Sequence, residues 1–310
     1  MSLVEAEDLV KHYGKVTAVD GLSLMVEEGS ITGLIGPNGS GKTTTIKIAL
    51  GLLKQDRGQV KVFNEDPWDN PDIRYRIGVI YEKAYFPPNH TVVEYLKRAC
   101  RVFGKPEDRA WETLTMVGLE NAYSRPIRGL SAGMLQKFSV AHALINEPDL
   151  IIADEPTANL DPEARSNLLD LILRLNRDGK TTFLISSHIL PELSRICNYI
   201  AIISRGRVWA QGRLEELSQR FGAKVVRIST NKPESLAEEA RRLSYVTRIE
   251  PDSRGILIGV ASGEDETIYT DILELARRIG ARVTGIESGT ASLEELFRLA
   301  VKSDQGGVSS

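Results

Sequence analysis

Eight residues constrain this chain more than any others. Gly36-Pro37-Asn38-Gly39-Ser40-Gly41-Lys42-Thr43 has the spacing G-x-x-x-x-G-K-[ST]. It follows the apolar run Ile31-Thr32-Gly33-Leu34-Ile35 and precedes a helix-period stretch, TTTIKIALGLL. The glycines let backbone N–H groups turn inward around phosphate oxygens. The start of the following helix adds the positive end of its dipole. Lys42 then reaches the β- and γ-phosphates, and Thr43 offers its hydroxyl to Mg²⁺. A strand, a loop and a helix in this order place the motif in a layered α/β domain.

A second motif fits the same chemistry. Leu150-Ile151-Ile152-Ala153 is an apolar strand that ends in Asp154 and Glu155. A carboxylate at the end of a parallel strand faces the ligand crevice. Asp154 suits a metal, directly or through water, and Glu155 suits a general base acting on the attacking water. A third motif, Leu130-Ser131-Ala132-Gly133-Met134, precedes a long helix. Ser131 there reads either as a helix cap or as a second anion site. A second phosphate site in so small a region makes sense if it serves a nucleotide held by another copy.

With 310 residues, the chain is long enough for two domains. Apolar runs alternate with helical ones over residues 1–213, which predicts an α/β domain with parallel strands. Residues 89–147 instead carry successive amphipathic helices, which predicts an inserted helical subdomain. LEELSQRFG reads as a linking helix within residues 214–223. Residues 224–303 then run in the order βαββαβ, a split βαβ unit of ferredoxin-like type ending in a last helix, SLEELFRLAV. Ile268, Ile272, Leu275, Ala276 and Ile279 share one face of a helix in this unit. Residues 304–310 read as a disordered tail.

Composition excludes several classes. The net charge is −3, and residues 224–310 hold 12 basic against 14 acidic residues, which argues against nucleic acid as a partner. The two cysteines, Cys100 and Cys197, form neither a zinc pattern nor a disulfide framework, which suits a reducing cytosol. The N-terminus has no apolar signal region, and no apolar run is long enough to span a membrane.

Taken together, the motifs of residues 3–213 resemble those of ABC transporter ATP-binding subunits. GPNGSGKT is similar to Walker A, LSAGM to the family signature and LIIADE to Walker B. Asn159-Leu160-Asp161 resembles the D-loop, His188 the switch histidine, and Tyr13 the aromatic that stacks on adenine. The resemblance implies an α/β P-loop NTPase of ABC type with a helical subdomain, which binds and hydrolyses ATP with Mg²⁺. Lys42, Glu155 and His188 would be catalytic. ATP would meet Tyr13, Gly36, Pro37, Asn38, Gly39, Ser40, Gly41, Lys42, Thr43, Thr44 and Glu82. Thr43, Glu82 and Asp154 would hold the metal. Ser131, Ala132 and Gly133 would face the opposing subunit's ATP, with Asp161 contacting that subunit.

Two positions depart from the family pattern: Ala132 stands where glycine is usual, and Glu82 where glutamine is usual. Similar Glu-bearing loops, and a similar small accessory domain, occur in the drug-resistance branch of the family. The resemblance therefore implies an ABC-2 type exporter motor, a homodimer or heterodimer docked on a separate transmembrane permease. It would sit in the cytoplasm, peripheral at the inner face of the membrane. The accessory domain is expected to hold the dimer together or regulate it. The rival reading is a soluble ABC ATPase with a non-transport task. Against it, the chain has one cassette and no sustained heptads. Intact Lys42, Asp154, Glu155 and His188 speak against a chain that only binds nucleotide.

Overall fold

The computed structural model describes residues 1–179, 181–221, 224–252, 255–260 and 267–289, with Leu293 and Phe297. The chain divides into two units, Met1–Arg213 and Leu214–Lys302. The last helix read from the sequence and the tail at 304–310 lie almost wholly outside the described residues.

The first unit contains two sheets. Strands β1 (Ser2–Tyr13), β2 (Val16–Glu27) and β4 (Arg57–Val62) form an antiparallel sheet in the order β2-β1-β4. The sequence reading did not anticipate this sheet. Its alternation is broken where Asp8 takes a positive φ of 48° and the register of β1 shifts between Ala6 and Leu9. A bulge of this kind interrupts the period of two by which a strand is recognised.

The second sheet joins β3 (Ile31–Ile35), β5 (Ile77–Tyr81), β6 (Leu150–Asp154), β7 (Thr182–Ser187), β8 (Tyr199–Ser204) and β9 (Arg207–Arg213) in the order β5-β6-β7-β3-β8-β9. The first five are parallel, and β9 returns antiparallel to β8. Every residue of β3 and β7 is buried, as parallel strands covered on both faces require. Helix α1 (Lys42–Ala49) follows β3, α5 (Pro162–Gly179) follows β6, and α6 (Leu190–Ile196) follows β7. The β8–β9 turn also holds its neighbours. Gly206 N–H donates to Ser40 O at 2.9 Å, and Gly206 O accepts from Asp20 N–H at 2.9 Å.

Between β5 and β6 lie α2 (Val92–Val102), α3 (Asp108–Val117) and α4 (Ala132–Leu144). Thr91 and Glu94 form a reciprocal capping box on α2, and Gly118 ends α3 in the left-handed region. Leu96, Leu114 and Phe138 are fully buried, one from each helix. Such burial stabilises by about 1.5–3 kcal/mol per side chain.

In the second unit, α7 (Leu214–Phe221) precedes β10 (Lys224–Thr230), α8 (Pro233–Ala240), β11 (Val246–Asp252), β12 (Gly255–Val260), α9 (Thr267–Ile279) and β13 (Val283–Gly289). The sheet order is β11-β12-β10-β13, with every neighbouring pair antiparallel. Val226, Ile228, Ile256 and Ile258 pack with Leu236 of α8 and Ile268 and Ile272 of α9. The alternation along β10 and β12 sends these residues to one face of the sheet.

Candidate functional site

Register brings the site together. Tyr81 stands opposite Asp154, Asp154 opposite Ser186, and Ile35 opposite Ser187. The C-terminal ends of β5, β6, β7 and β3 are therefore level. The segments leaving them carry Glu82, Glu155, His188 and Gly36 to one rim of the sheet, where ligands bind in open α/β folds.

The loop before α1 depends on glycine at Gly41. Its φ is 108°, and a Cβ there would lie 2.5 Å from Ala18 O. Helix α1 starts at Lys42 with no capping side chain and no acid in its first turn. Its unpaired N–H groups and its dipole are left to attract an anion. Thr43 is exposed in that turn, and Thr44 half-buried beside it.

Lys42 is buried, and its ammonium donates to Gly36 O at 2.7 Å and Pro37 O at 3.3 Å. It also lies 3.3 Å from Glu155 Oε1. The other Glu155 oxygen is 2.8 Å from His188 Nδ1. One carboxylate is thus shared between an ammonium and an imidazole. Glu155 has a φ of 49°, uncommon for a residue with a Cβ. Its N–H donates to Ser186 O at 3.1 Å and Ser186 Oγ at 3.0 Å. Ser186 Oγ in turn donates to Asp154 Oδ1 at 2.5 Å. Ser186 therefore holds both acids of the second motif, a role the sequence reading missed. A hydroxyl in an otherwise apolar buried strand was the signal available.

Glu82 is exposed just past β5, and Asn159 Nδ2 donates to its Oε1 at 3.4 Å. Burial and the neighbouring Asp154 carboxylate push the Tyr81 hydroxyl above its usual range. The remaining candidates make no hydrogen bond to this cluster among the described residues. Tyr13 ends β1, about half exposed. Ser131 caps α4, its Oγ accepting from Met134 N–H at 3.3 Å, and Ala132 is exposed beside it. Asp161 Oδ1 accepts from Ala164 N–H at 2.8 Å at the start of α5. Gly133 touches the same turn: a Cβ on it would lie 2.8 Å from Ala164 Cβ.

Comparison with known proteins shows the family. Residues 19–158 match the family model described as ABC transporter. An uncharacterised ABC transporter ATP-binding protein of Nostoc sp. (strain PCC 7120) is 36% identical, covering 96% of this chain and 89% of its own. The daunorubicin/doxorubicin resistance ATP-binding protein DrrA of Streptomyces peucetius is 34% identical, covering 95% and 91%. Among solved structures, a dimeric post-hydrolysis state of an ATP-binding cassette bound to ADP and phosphate superposes with a TM-score of 0.61. It is 26% identical and covers 68% of this chain and 98% of that one.

Proposed function

Since this chain belongs to the ABC transporter family of ATP-binding proteins, which hydrolyse ATP to power transport, we propose that it drives an exporter of ABC-2 type. Two such subunits close on ATP and act on a separate transmembrane permease at the cytoplasmic face of the membrane. The observation that carries the reading is the convergence of Lys42 and His188 on the two oxygens of Glu155. Among the described residues no helix is long and apolar enough to cross a membrane. The resistance function named for the Streptomyces relative favours outward transport.

In this reading the loop from Gly36 to Thr44 wraps the phosphates and Tyr13 stacks on adenine. Lys42 exchanges its present carbonyl and carboxylate partners for phosphate oxygens. The freed Glu155 carboxylate takes the proton of a water whose oxygen attacks the γ-phosphorus. The bond to the bridging oxygen breaks, and ADP and phosphate leave. His188 orients Glu155 and meets the γ-phosphate.

The donor set fits Mg²⁺. The Thr43 hydroxyl and the Asp154 and Glu82 carboxylates are hard oxygen ligands, and Mg²⁺ in such sites takes one or two carboxylates with phosphates and waters. When bound, it neutralises charge developing on the phosphates. Ser131, Ala132 and Gly133 of one copy complete the site of the other, and Asp161 contacts the opposing subunit. The second unit, which we read as a ferredoxin-like accessory domain, prolongs the dimer.

Glu155→Gln tests the assignment. Loss of a general base costs roughly 10²–10⁴ in rate, while ATP binding by calorimetry should persist. Turnover near the wild-type rate would place the base elsewhere.

A further inference from the structure

Glu192 is a buried acid that the reaction itself does not use. It stands in the first turn of α6, four residues after His188, and is 6% exposed. A carboxylate so placed loses its water and persists only with partners. Its two partners come from two other segments of the site. Thr157 Oγ1, two residues after Glu155, donates to Glu192 Oε2 at 2.5 Å. Arg165 Nε, in the first turn of α5, lies 2.9 Å from Glu192 Oε1. The same guanidinium reaches back to the far end of the loop that holds Thr157, where Arg165 Nη2 donates to Leu160 O at 3.3 Å, one residue before Asp161.

We infer that Glu192 is a positioning residue that locks the segments of Glu155, Asp161 and His188 into one moving part. This rests on the proposed ATPase reading and names its internal coupling. Stability alone gives no reason for such a group, because a buried ion pair is often replaced by apolar residues without loss. What an apolar replacement cannot reproduce is one side chain of α6 that is hydrogen-bonded to the β6–α5 loop and ion-paired with the first turn of α5. A displacement of His188 on meeting phosphate is carried through Glu192 to Thr157 and, through Arg165, to the carbonyl next to Asp161. The base and the contact with the opposing subunit then change state together.

The phosphate loop shares none of these bonds, so the inference separates turnover from binding. In the full-length chain, Glu192→Gln keeps an oxygen for Thr157 and removes the charge facing Arg165. It should lower kcat about 10-fold or more while leaving KM for ATP within about twofold, the pattern of a lost transition-state interaction. The double variant Arg165→Met/Glu192→Leu, which leaves no charge buried alone, should keep the wild-type Tm and still show the low kcat. Wild-type kcat in Glu192→Gln, or in the double variant, would overturn the inference. So would a parallel change of kcat and KM that tracks a lowered Tm. Glu155→Gln measured alongside separates the two readings. Normal turnover there removes the base assignment. Lost turnover there, with full kcat in Glu192→Gln, removes only the coupling.

Discussion

Lys42 braces its own loop, its ammonium donating to Gly36 O and Pro37 O and lying against Glu155. Lys42→Ala therefore removes the charge that meets ATP. A charge-assisted bond is worth roughly 1.5–3 kcal/mol, so affinity should fall about 10- to 150-fold by calorimetry. Unchanged affinity would remove the loop assignment. Residues of this kind were legible in the sequence because each combines a reactive group with a marked position: a lysine after glycines, or acids ending an apolar run. Ser186 and Glu192 were not. A serine in a buried strand and an acid in a short helix are ordinary in composition, and only the distances to Asp154, Thr157 and Arg165 give them a role.

Elements meet at points that tolerate little change. The contact of Gly133 in α4 with Ala164 in α5 leaves no room for a methyl group. Gly133→Ala should destabilise by about 1–3 kcal/mol, as overpacking does. At roughly 2–4 °C per kcal/mol for a domain of this size, calorimetry would resolve the loss. Ala164→Gly in the same chain should restore most of it, and failure to do so would deny the contact its role. The helical layer also carries a pH dependence. Burial pushes the His142 imidazole below its usual range, and its ring packs with Phe86 and Tyr95. The unfolded chain then takes up this proton first as pH falls below about 6.5. Stability is thus full above that pH and declines below it, toward the folded-state value. Melting temperatures taken from pH 7 to 5 should fall more steeply for the wild type than for His142→Phe. Equal slopes would exclude the histidine as the source. The helices of this layer were legible from their amphipathic period; the capping box at Thr91 and Glu94 came only with the structure. The sheet of β1, β2 and β4 was not, because its pairing is long-range and its pattern is broken at Asp8.

On the scale of the whole molecule, every proposed site residue lies in Met1–Arg213, a unit with its own buried core. A chain ending at Arg213 should fold and bind ATP as tightly as the full chain. If the second unit holds two copies together, mass action makes the ATPase rate of the shortened chain fall more steeply on dilution. Rate against protein concentration for both chains decides this, and superimposable curves would remove the dimer role. The boundary also has a consequence for exchanging parts. β9 runs from Arg207 to Arg213, and the turn just before it bonds to Ser40 O and Asp20 N–H. One strand therefore closes the sheet, steadies the phosphate loop and delivers the chain to whatever follows. A graft that swaps the C-terminal unit can be joined safely only after Arg213. A seam placed earlier would leave the donor's hairpin to hold the recipient's phosphate loop.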